Sequence, residues 1–382
     1  MSPPRPQESP GLEAAATLRR ALERALAEGL RRVAGKGRPG PILVGFSHGS
    51  DSTLCLALLA SLEKECAFPP VLALHVDHGM REGAAAEAEA ARRFAESLGL
   101  DFRLRRLAGP RGETAARAAR YRAFREVARE EGASLLLLAH HEEDQFETLL
   151  FRLLRGTGPM GLACMPRLRP LFGGAVSGGG AEEPAAPPPI LLGEPPTLCL
   201  RPWLDQPKAR LLAALHAMDL PWIRDPTNAD PSLTPRNRIR RELLPALLAR
   251  PNGREGLRAL LREARALRDE CRARAALLRR THVSPSRGAS PLCFRLDAET
   301  RSAPAWVLET LLTALLRDLA GTAGLSWPLP PRRHLARLVD LCREGARPGA
   351  AVEARGRWRV LRRGDSLEFF PWSAVPRNRG AT

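Results

Sequence analysis

Short apolar runs alternate with longer amphipathic stretches along the first part of the chain. Each apolar run is short enough for a buried strand, and the stretch after it has helical periodicity. Strands that are apolar throughout are typical of a parallel sheet covered on both faces, so the pattern predicts an α/β fold. The predicted strands are Ile42–Phe46, Val71–Val76, Leu100–Leu107 and Ser134–Ala139, and the predicted helices are Ser52–Leu62, Ala84–Leu98, Thr114–Glu131 and Asp144–Arg155.

The rest of the chain departs from this alternation. Residues 14–34 have apolar and charged positions at helical spacing, which predicts an amphipathic helix before the first strand. Residues 171–197 are rich in Gly, Pro and Ala and are interpreted as a flexible insertion. Helices are also predicted over 208–220 and 239–280, and a small β hairpin over Ala351–Phe370 with its turn at Gly364-Asp365.

These patterns divide the chain into three expected parts. We expect an α/β domain over residues 1–225, a helical region over 226–345 and a small, mainly β element over 346–382. A length of 382 residues is sufficient for two or three domains with substantial cores.

Charge is distributed unevenly between the two halves. Residues 201–382 carry 34 Lys+Arg against 18 Asp+Glu, whereas residues 1–200 carry 25 against 24. A basic half joined to a neutral half suggests catalysis in one and binding of a polyanion in the other. Only three residues are lysine, so coding bias can explain the preference for arginine, but it does not explain the difference between the halves.

Cysteine and hydropathy patterns limit the class of protein. The seven cysteines are scattered without a C-x-x-C pair, which fits a reducing compartment and argues against a zinc ribbon or an iron–sulfur site. We expect most of them to be small core residues. No apolar run is long enough to predict a membrane span, and the N-terminal residues lack the apolar stretch of a secretory signal.

A turn of small residues, Ser47 to Ser52, joins the first predicted strand to its helix. Such a turn directs backbone N–H groups and the positive end of the helix dipole at one point, which favours phosphate. It lacks the lysine of a Walker loop. It resembles the PP-loop, SGGxDS, of ATP pyrophosphatases, although His48 stands where glycine is usual. An ordinary Ser/Gly-rich turn is the alternative.

Polar residues also follow the second and fourth predicted strands. The segment His75-Val76-Asp77-His78-Gly79 could bind a metal or orient a nucleotide, or it could be a polar turn. Asp144 and Glu147 have i,i+3 spacing at a helix start, so their carboxylates share one face. Paired acids there suit a cationic substrate group or a metal ion, and acids favoured by the helix dipole are the alternative.

A third segment is strongly basic. Four arginines lie within six residues at the start of a predicted helix, Arg236, Arg238, Arg240 and Arg241. They could contact phosphates as bidentate donors or form a solvated helix face.

Taken in order, residues 40–247 resemble the tRNA(Ile)-lysidine synthetases of the PP-loop ATP pyrophosphatase superfamily. The order of the motifs makes this resemblance specific, and residues 250–382 contain no motif that we can match. The segments that carry it are the PP-loop, LHVDHGMR (74–81), ETAARAARYRAF (113–124), LLLLAHHEEDQFETLLFRLLRGTGPMGLACM (135–165), LRPWLDQPKARLL (200–212), and WIRDPTNAD (222–230) followed by RNRIRRELLP (236–245).

The resemblance implies a PP-loop, HUP-like fold and a two-step reaction. Enzymes of this family use ATP to adenylate the 2-oxo group of the cytidine at the first anticodon position of a CAU-anticodon isoleucine tRNA. The ε-amine of free lysine then displaces AMP and gives lysidine. The resemblance implies tRNA(Ile), free L-lysine, ATP and Mg²⁺ as partners. It also implies a homodimer that lies in the cytoplasm and does not bind a membrane. Residues 1–225 would be catalytic and 226–345 would bind tRNA.

The resemblance also implies roles for individual residues. By position, the ATP-binding residues would be Ser47, His48, Gly49, Ser50, Asp51, Ser52, Val76 and Asp77, with Asp51 holding Mg²⁺. Asp51 and His140 would act at the reacting phosphate, and Arg236 and Arg240 would meet ATP phosphate or the tRNA. Arg120, Asp144 and Glu147 would bind the substrate lysine.

Three other functions remain as alternatives. A PP-loop tRNA thiolase would need cysteine pairs, which the sequence lacks, and amidotransferase relatives would need an ammonia source. An inactive RNA-binding relative is favoured by His48 alone, because a side chain there could block approach of the backbone to phosphate. The other site positions are intact, which favours the enzyme.

Overall fold

A computed structural model describes most of the chain. It covers residues 9–34, 40–66, 68–77, 83–107, 113–171, 197–224, 235–284, 292–322, 330, 332–354 and 356–372. The predicted insertion, apart from Leu171 and Thr197, lies outside these residues, as do His78 and most of the WIRDPTNAD segment.

The first part of the chain forms one six-stranded sheet with helices on both faces, which confirms the predicted fold class. Its strands have the order β3-β2-β1-β4-β6-β5, and all pair in parallel except β5 with β6. The strands are β1 (Ile42–Gly45), β2 (Val71–Asp77), β3 (Asp101–Arg106), β4 (Leu135–Leu137), β5 (Leu168–Pro170) and β6 (Leu198–Leu200). The helices are α1 (Pro10–Val33), α2 (Ser50–Glu65), α3 (Ala84–Ser97), α4 (Glu113–Glu130), α5 (Glu142–Leu154), α6 (Pro159–Leu162) and α7 (Lys208–Ala217).

Alternate residues of the central strands enter two separate cores. Ile42 and Val44 pack with α1, α2 and α7 on one face, whereas Leu43 packs on the other face with Tyr121 and Phe124 of α4. All three strand residues are fully buried, and this explains why the strands are apolar throughout.

The position of β1 creates the crevice that ligands use in such folds. The chain leaves β1 towards β2 on one side, while β4 lies against β1 on the other side. The loops after β1 and β4 therefore diverge at a topological switch point, beyond the carboxyl ends of the strands. Both loops carry predicted site residues.

The second part of the chain is helical with a second sheet. A π-helical turn, Ile239–Leu243, interrupts the helix between α8 (Pro235–Arg238) and α9 (Leu244–Leu248). The remaining helices are α10 (Gly253–His282), α11 (Ala298–Ser302), α12 (Ala305–Thr322) and α13 (Arg332–Cys342). The strands are β7 (Val283–Ser284), β8 (Leu292–Arg295), β9 (Ala351–Ala354), β10 (Trp358–Arg363) and β11 (Ser366–Pro371), in the antiparallel order β7-β8-β11-β10-β9.

The second sheet contains the predicted hairpin, but it also contains strands from a range that was expected to be helical. The predicted hairpin exists as β10 and β11, and Arg363 pairs with Ser366 across the Gly364-Asp365 turn. Two strands, however, come from the range 226–345 that was expected to be helical. Side chains from α10, α12, α13 and the sheet share one core, since Leu312, Leu338 and Phe369 are packed together in it. The division at residue 346 stays a prediction.

The described residues also bear on the membrane and cysteine expectations. Among the helices in the described ranges, none is long and apolar enough to cross a bilayer. All seven cysteines are free thiols, and Cys66 and Cys293 are not buried. The other five are buried core residues, as expected.

Candidate active site

The turn after β1 forms a hydrogen-bonded cradle at the start of α2. Ser52 Oγ donates to the Gly49 carbonyl at 3.1 Å and lies 3.2 Å from the Ser47 backbone nitrogen, whose N–H it accepts. The Ser47 and Ser52 hydroxyl oxygens are 3.1 Å apart. Gly49 precedes α2 in an extended conformation, and no side chain caps the helix there. The N-terminus of α2 thus has no side-chain cap, and an uncapped helix N-terminus favours an anion.

His48 occupies the position where a PP-loop usually has glycine. Its φ of 59° lies in the left-handed region, which histidine tolerates better than most residues. The ring is only 5% exposed and stacks on Phe94 of α3 with 5.4 Å between ring centroids. Burial lowers the pKa of His48, although the Pro221 backbone opposes this in part. His48 therefore packs as a neutral core residue instead of pointing into solvent.

The end of β2 supports the turn from the neighbouring strand. His75 is buried, and its Nδ1 lies 2.9 Å from the Phe46 carbonyl oxygen, so it braces the start of the turn. Val76 and Asp77 are half-buried at the carboxyl end of the same strand. An Asp77 carboxylate oxygen is 3.9 Å from Arg106 Nε. Val76 and Asp77 thus lie at the carboxyl end of the strand that neighbours β1.

The loop after β4 brings His140 to the same edge of the sheet. The pKa of His140 is held well below its ordinary value, first by burial and then by Arg201, Arg117 and Arg120, and Asp144 opposes them. His140 is therefore neutral at physiological pH. Arg120 lies on α4, and the structure places its charge where it acts on His140.

His141 and three acids form an ion-pair cluster at the start of α5. The His141 backbone N–H donates to Asp144 Oδ2 at 2.9 Å, and its Nδ1 lies 3.2 Å from Glu143 Oε2. Its Nε2 is 3.5 Å from Asp144 Oδ2 and 3.8 Å from Asp51 Oδ2. Burial alone would lower the pKa of His141, but Asp144, Glu143 and Asp51 outweigh it and raise the pKa to about 9.

The carboxylates of this cluster are correspondingly acidic. Burial opposes ionisation of both Glu143 and Asp144, but their cationic neighbours outweigh it. The pKa of Glu143 falls to about 2 through His141, the Lys208 backbone and Arg254. The pKa of Asp144 falls to about 2 mainly through His141. Both acids are ionised at physiological pH, which suits binding of a cation.

Arg240 occupies the acid pair that the sequence singled out. Its Nε donates to Glu147 Oε1 at 2.6 Å and its Nη2 to Glu147 Oε2 at 2.8 Å, while Nη2 lies 3.8 Å from Asp144 Oδ1. This bond to Glu147 raises the pKa of Arg240 and keeps it cationic. Arg236 lies on α8, with its guanidinium 5.5 Å from the centre of the Phe151 ring. The acid pair therefore already holds a planar cation.

Lys208 was not among the predicted site residues. Its Nζ donates to Asp51 Oδ1 at 2.5 Å and to Ser50 Oγ at 2.8 Å. Its backbone N–H donates to Glu143 Oε2 at 2.8 Å, which holds the start of α7 against α5. The only signals in the sequence were its place in the LRPWLDQPKARLL segment and the rarity of lysine in this chain.

Two arginines of α10 also reach this edge of the sheet and were not predicted. Glu142 is 2% exposed and accepts hydrogen bonds from Arg254 and Arg258. Arg254 Nη2 also donates to Glu143 Oε1 at 2.9 Å. The basic C-terminal part of the chain is thereby tied to the helix that carries the acid cluster. These contacts join residues more than a hundred positions apart, so no local pattern could indicate them.

The metal expectation rests on Asp51 alone. Among the residues that the structure describes, no group of three or more His, Cys, Asp and Glu side chains is arranged to hold a metal ion. In nucleotide sites Mg²⁺ typically takes one or two carboxylates together with substrate phosphates and water. The single carboxylate of the cradle fits an ion that arrives with the nucleotide.

Comparisons with known proteins agree with this geometry. A family model described as a PP-loop domain matches residues 19–247. The tRNA(Ile)-lysidine synthase of Methylobacterium nodulans is 38% identical over 349 residues, which cover 89% of this chain and 91% of that protein. Proteins of the same name from Pseudomonas aeruginosa and Salinispora tropica are 42% and 40% identical, over 53% and 61% of this chain and 41% and 62% of theirs.

The match to the Methylobacterium protein extends over nearly the whole of both chains, beyond the PP-loop domain and into the basic helices. The motif order, the cradle at the switch point and this full-length similarity agree with one another. The chain belongs to the tRNA(Ile)-lysidine synthase family.

Proposed function

We propose that this chain uses ATP to attach free lysine to the 2-position of the cytidine at the first anticodon position of a CAU-anticodon tRNA(Ile). One observation carries the proposal: the phosphate cradle and the acid cluster are contiguous. His141 Nε2 lies between Asp51 and Asp144, 3.8 Å from one carboxylate and 3.5 Å from the other. An activated group formed at the cradle would therefore meet an amine held by the acids.

The first step would activate the cytidine. Its 2-oxo oxygen attacks the α-phosphorus of ATP, the bond from that phosphorus to the bridging oxygen breaks, and pyrophosphate leaves with the electron pair. The hydroxyls of Ser47, Ser50 and Ser52 and the N-terminus of α2 would bind the departing phosphates. Asp51 would hold Mg²⁺, which supplies neutralisation of phosphate charge when it is bound.

The second step would use the lysine amine as nucleophile. The neutral ε-amine attacks C2 of the cytidine, the C2–O bond breaks, and AMP leaves with the oxygen and the electron pair. The ε-ammonium loses one proton before the attack and the nitrogen loses a second as the product forms; solvent takes both, because the strongly lowered pKa of His140 makes its ring a weak base. Lysine arrives with two ammonium groups and one carboxylate. This suits Asp144, whose pKa is about 2, and Glu147, which pairs with a guanidinium although burial raises its pKa.

Arg240 would change partners during this reaction. Its guanidinium bonds both oxygens of Glu147, so a substrate ammonium would replace it there. The released guanidinium would then lie near the cradle, where it could bind phosphate as a bidentate donor. This exchange reconciles the proposed lysine-binding role of Glu147 with the proposed phosphate-binding role of Arg240.

A single-turnover assay tests the proposal. Purified protein, ATP, labelled lysine and an unmodified tRNA(Ile) transcript should give labelled tRNA, with AMP and pyrophosphate in equal amounts. A transcript with the anticodon cytidine replaced by uridine should stay unlabelled. Release of ADP, or incorporation of sulfur instead of lysine, would overturn the assignment.

We also propose that the protein works in the cytoplasm as a homodimer, which the family resemblance implies. Light scattering in solution should give twice the monomer mass of 41.7 kDa. A mass equal to that of one chain would exclude the dimer without affecting the proposed chemistry.

A further inference from the structure

Lys208 bonds directly to the proposed nucleotide cradle. We propose that Lys208 is a phosphate-binding residue, whose ammonium pairs with Asp51 in this structure and moves to the phosphates that leave as pyrophosphate when ATP is bound. This inference rests on the proposed function and adds a residue to its first step. The ammonium reaches both Asp51 Oδ1, at 2.5 Å, and Ser50 Oγ, at 2.8 Å.

The position of this ammonium calls for an anion. Ser50 and Asp51 form the first turn of α2, so Nζ lies at the positive end of that helix dipole. A cation is unfavourable at a helix N-terminus, whereas an anion is favourable there. Asp51 offsets the charge of the ammonium in this structure. A bound phosphate would satisfy the ammonium and the helix terminus together.

The choice of lysine is informative in this particular chain. Of 59 Lys+Arg residues only three are lysine, so arginine is the usual cation here. Arginine presents a rigid planar fork, whereas lysine carries a compact charge on a flexible four-carbon stem. A compact, mobile charge suits a group that leaves a carboxylate and follows a phosphate. Coding habit therefore does not account for lysine at position 208.

The backbone around Lys208 is held while its ammonium can move. The Lys208 N–H donates to Glu143 Oε2 at 2.8 Å, which anchors the first residue of α7. The side chain itself is 30% exposed. Rotation of the stem is sufficient to carry Nζ from Asp51 towards phosphate oxygens bound at Ser50. That movement would also free Asp51 Oδ1 for the Mg²⁺ proposed above.

The test begins with pyrophosphate binding in metal-free buffer, measured by titration calorimetry on the full-length protein. Lys208→Met should weaken pyrophosphate binding about 10- to 100-fold, the range expected for one charge-assisted hydrogen bond. Lys208→Arg should recover part of the loss. Asp51→Asn should change the affinity in the opposite direction, because it frees the ammonium and removes a repelling carboxylate. Lys64→Met, at an exposed position near the end of α2, is the matched control and should bind as wild type.

The second measurement is the rate of pyrophosphate release in one turnover with ATP, Mg²⁺ and tRNA. Lys208→Met should slow it roughly 100-fold, as loss of one transition-state donor does. Wild-type pyrophosphate affinity in Lys208→Met would overturn the inference, and Lys208 would then serve only to orient Asp51. If wild type makes no lysidine and yet Lys208→Met loses pyrophosphate binding, the proposed function fails while the phosphate-binding role of Lys208 stands.

Discussion

His141 is the residue whose charge should control stability most visibly. Its pKa rises from an ordinary 6.5 to about 9, so the protonated ring stabilises the folded state. That contribution is complete below about pH 6.5 and is lost as the pH rises through 9. We expect His141→Gln to remove roughly 3 kcal/mol at neutral pH, the equivalent of the shift, and to flatten the alkaline limb.

Thermal unfolding between pH 5 and pH 10 measures this effect. The exposed His216→Gln, on α7, is the control and should keep the wild-type profile. Glu143 and Asp144 affect stability at acid pH. Their pKa values are about 2, so their contribution to the stability of the folded state is lost as the pH falls below about 4. An alkaline limb that is identical in wild type and His141→Gln would show that His141 is not protonated in the folded protein.

Substitutions in the acid pair, Asp144 and Glu147, should impair the use of lysine and leave adenylation of the tRNA largely intact. We expect Glu147→Gln to raise the KM for lysine at least about 10-fold, because it removes the charge that would bind an ammonium. Adenylation of tRNA in the absence of lysine should change little. Asp144→Asn should act in the same direction, with an additional loss of stability because Asp144 accepts the His141 backbone N–H.

Pyrophosphate release without lysine and lysine incorporation with it are the two measurements. Glu131→Gln, at the end of α4 and outside the cluster, is the control. Equal loss of both half-reactions in the two variants would reassign the pair to the nucleotide or to Mg²⁺.

Variants at position 48 test whether the protein tolerates histidine where the family pattern has glycine. His48→Gly relieves a left-handed φ worth about 1 kcal/mol, but it removes a buried ring stacked on Phe94. We expect a lower melting temperature, by a few degrees, with an ATP KM that is unchanged or lower. His48→Asn keeps tolerance for the left-handed φ and separates the two effects. Loss of activity in His48→Gly at full stability would show that the ring contributes to nucleotide binding.

Site residues at the ends of strands and helices were easier to predict from the sequence than site residues from distant parts of the chain. Ser47, Asp51 and Asp144 were found because strand-to-turn-to-helix patterns place them at the ligand edge. Lys208 bonds to a carboxylate 157 positions away, and only the folded chain brings the two together. His141 was quoted in its motif without a role, because its charge depends on three acids of which Asp51 comes from another loop.

The contact between α5 and α10 should carry much of the stability at the scale of elements. Glu142 is nearly fully buried and holds Arg254 and Arg258 of α10. Removing this carboxylate takes one anion from each guanidinium, although Arg254 keeps its bond to Glu143 and Arg258 stays 3.7 Å from Glu255. Breaking a buried pair costs about 3–5 kcal/mol. Because both arginines are partly exposed, we expect Glu142→Gln to lower the free energy of unfolding by a smaller amount, about 2–3 kcal/mol.

Urea denaturation measures this loss. Arg262→Ala is the control, since its pair with Glu255 is exposed on both sides and should change stability by less than about 0.5 kcal/mol. Equal, small effects of Glu142→Gln and Arg262→Ala would show that the Glu142 ion pairs contribute little to the stability of the contact between α5 and α10.

Long elements were predicted well and short ones were missed. The helices α2 to α5 begin and end within three residues of their predicted limits, because helices of 13 or more residues show their apolar pattern over several turns. Strands β5 and β6 have three residues each, too few for any periodicity to show. Strands β7 and β8 were missed because they have only two and four residues, and β7 directly follows the long helix α10.

The basic half of the molecule should bind the tRNA backbone. Helix α10 alone has nine arginines against four acids, and Arg274 and Arg280 are exposed on it. We expect Arg274→Gln with Arg280→Gln to weaken tRNA binding and to reduce the slope of log affinity against log salt by up to about 2. The control pair is Arg31→Gln with Arg32→Gln, exposed on α1 in the neutral half.

Point variants are preferable to truncation here. Cutting the chain after about residue 250 would remove Arg254 and Arg258, which hold Glu142, so it would disturb the acid cluster as well as the basic surface. A salt slope that the α10 pair leaves unchanged, or that the α1 pair reduces equally, would show that the basic half reflects arginine-rich coding.

In the proposed reaction one crevice performs two consecutive steps, adenylation of the tRNA and attack by lysine. The direct measurement uses ATP labelled in its α-phosphate, mixed with the protein and tRNA(Ile) in the absence of lysine. We predict that label accumulates on the tRNA as an adenylate, and that added lysine releases all of it as AMP while the tRNA gains one lysine. Label that never joins the tRNA, or that stays on it after lysine is added, would contradict the account.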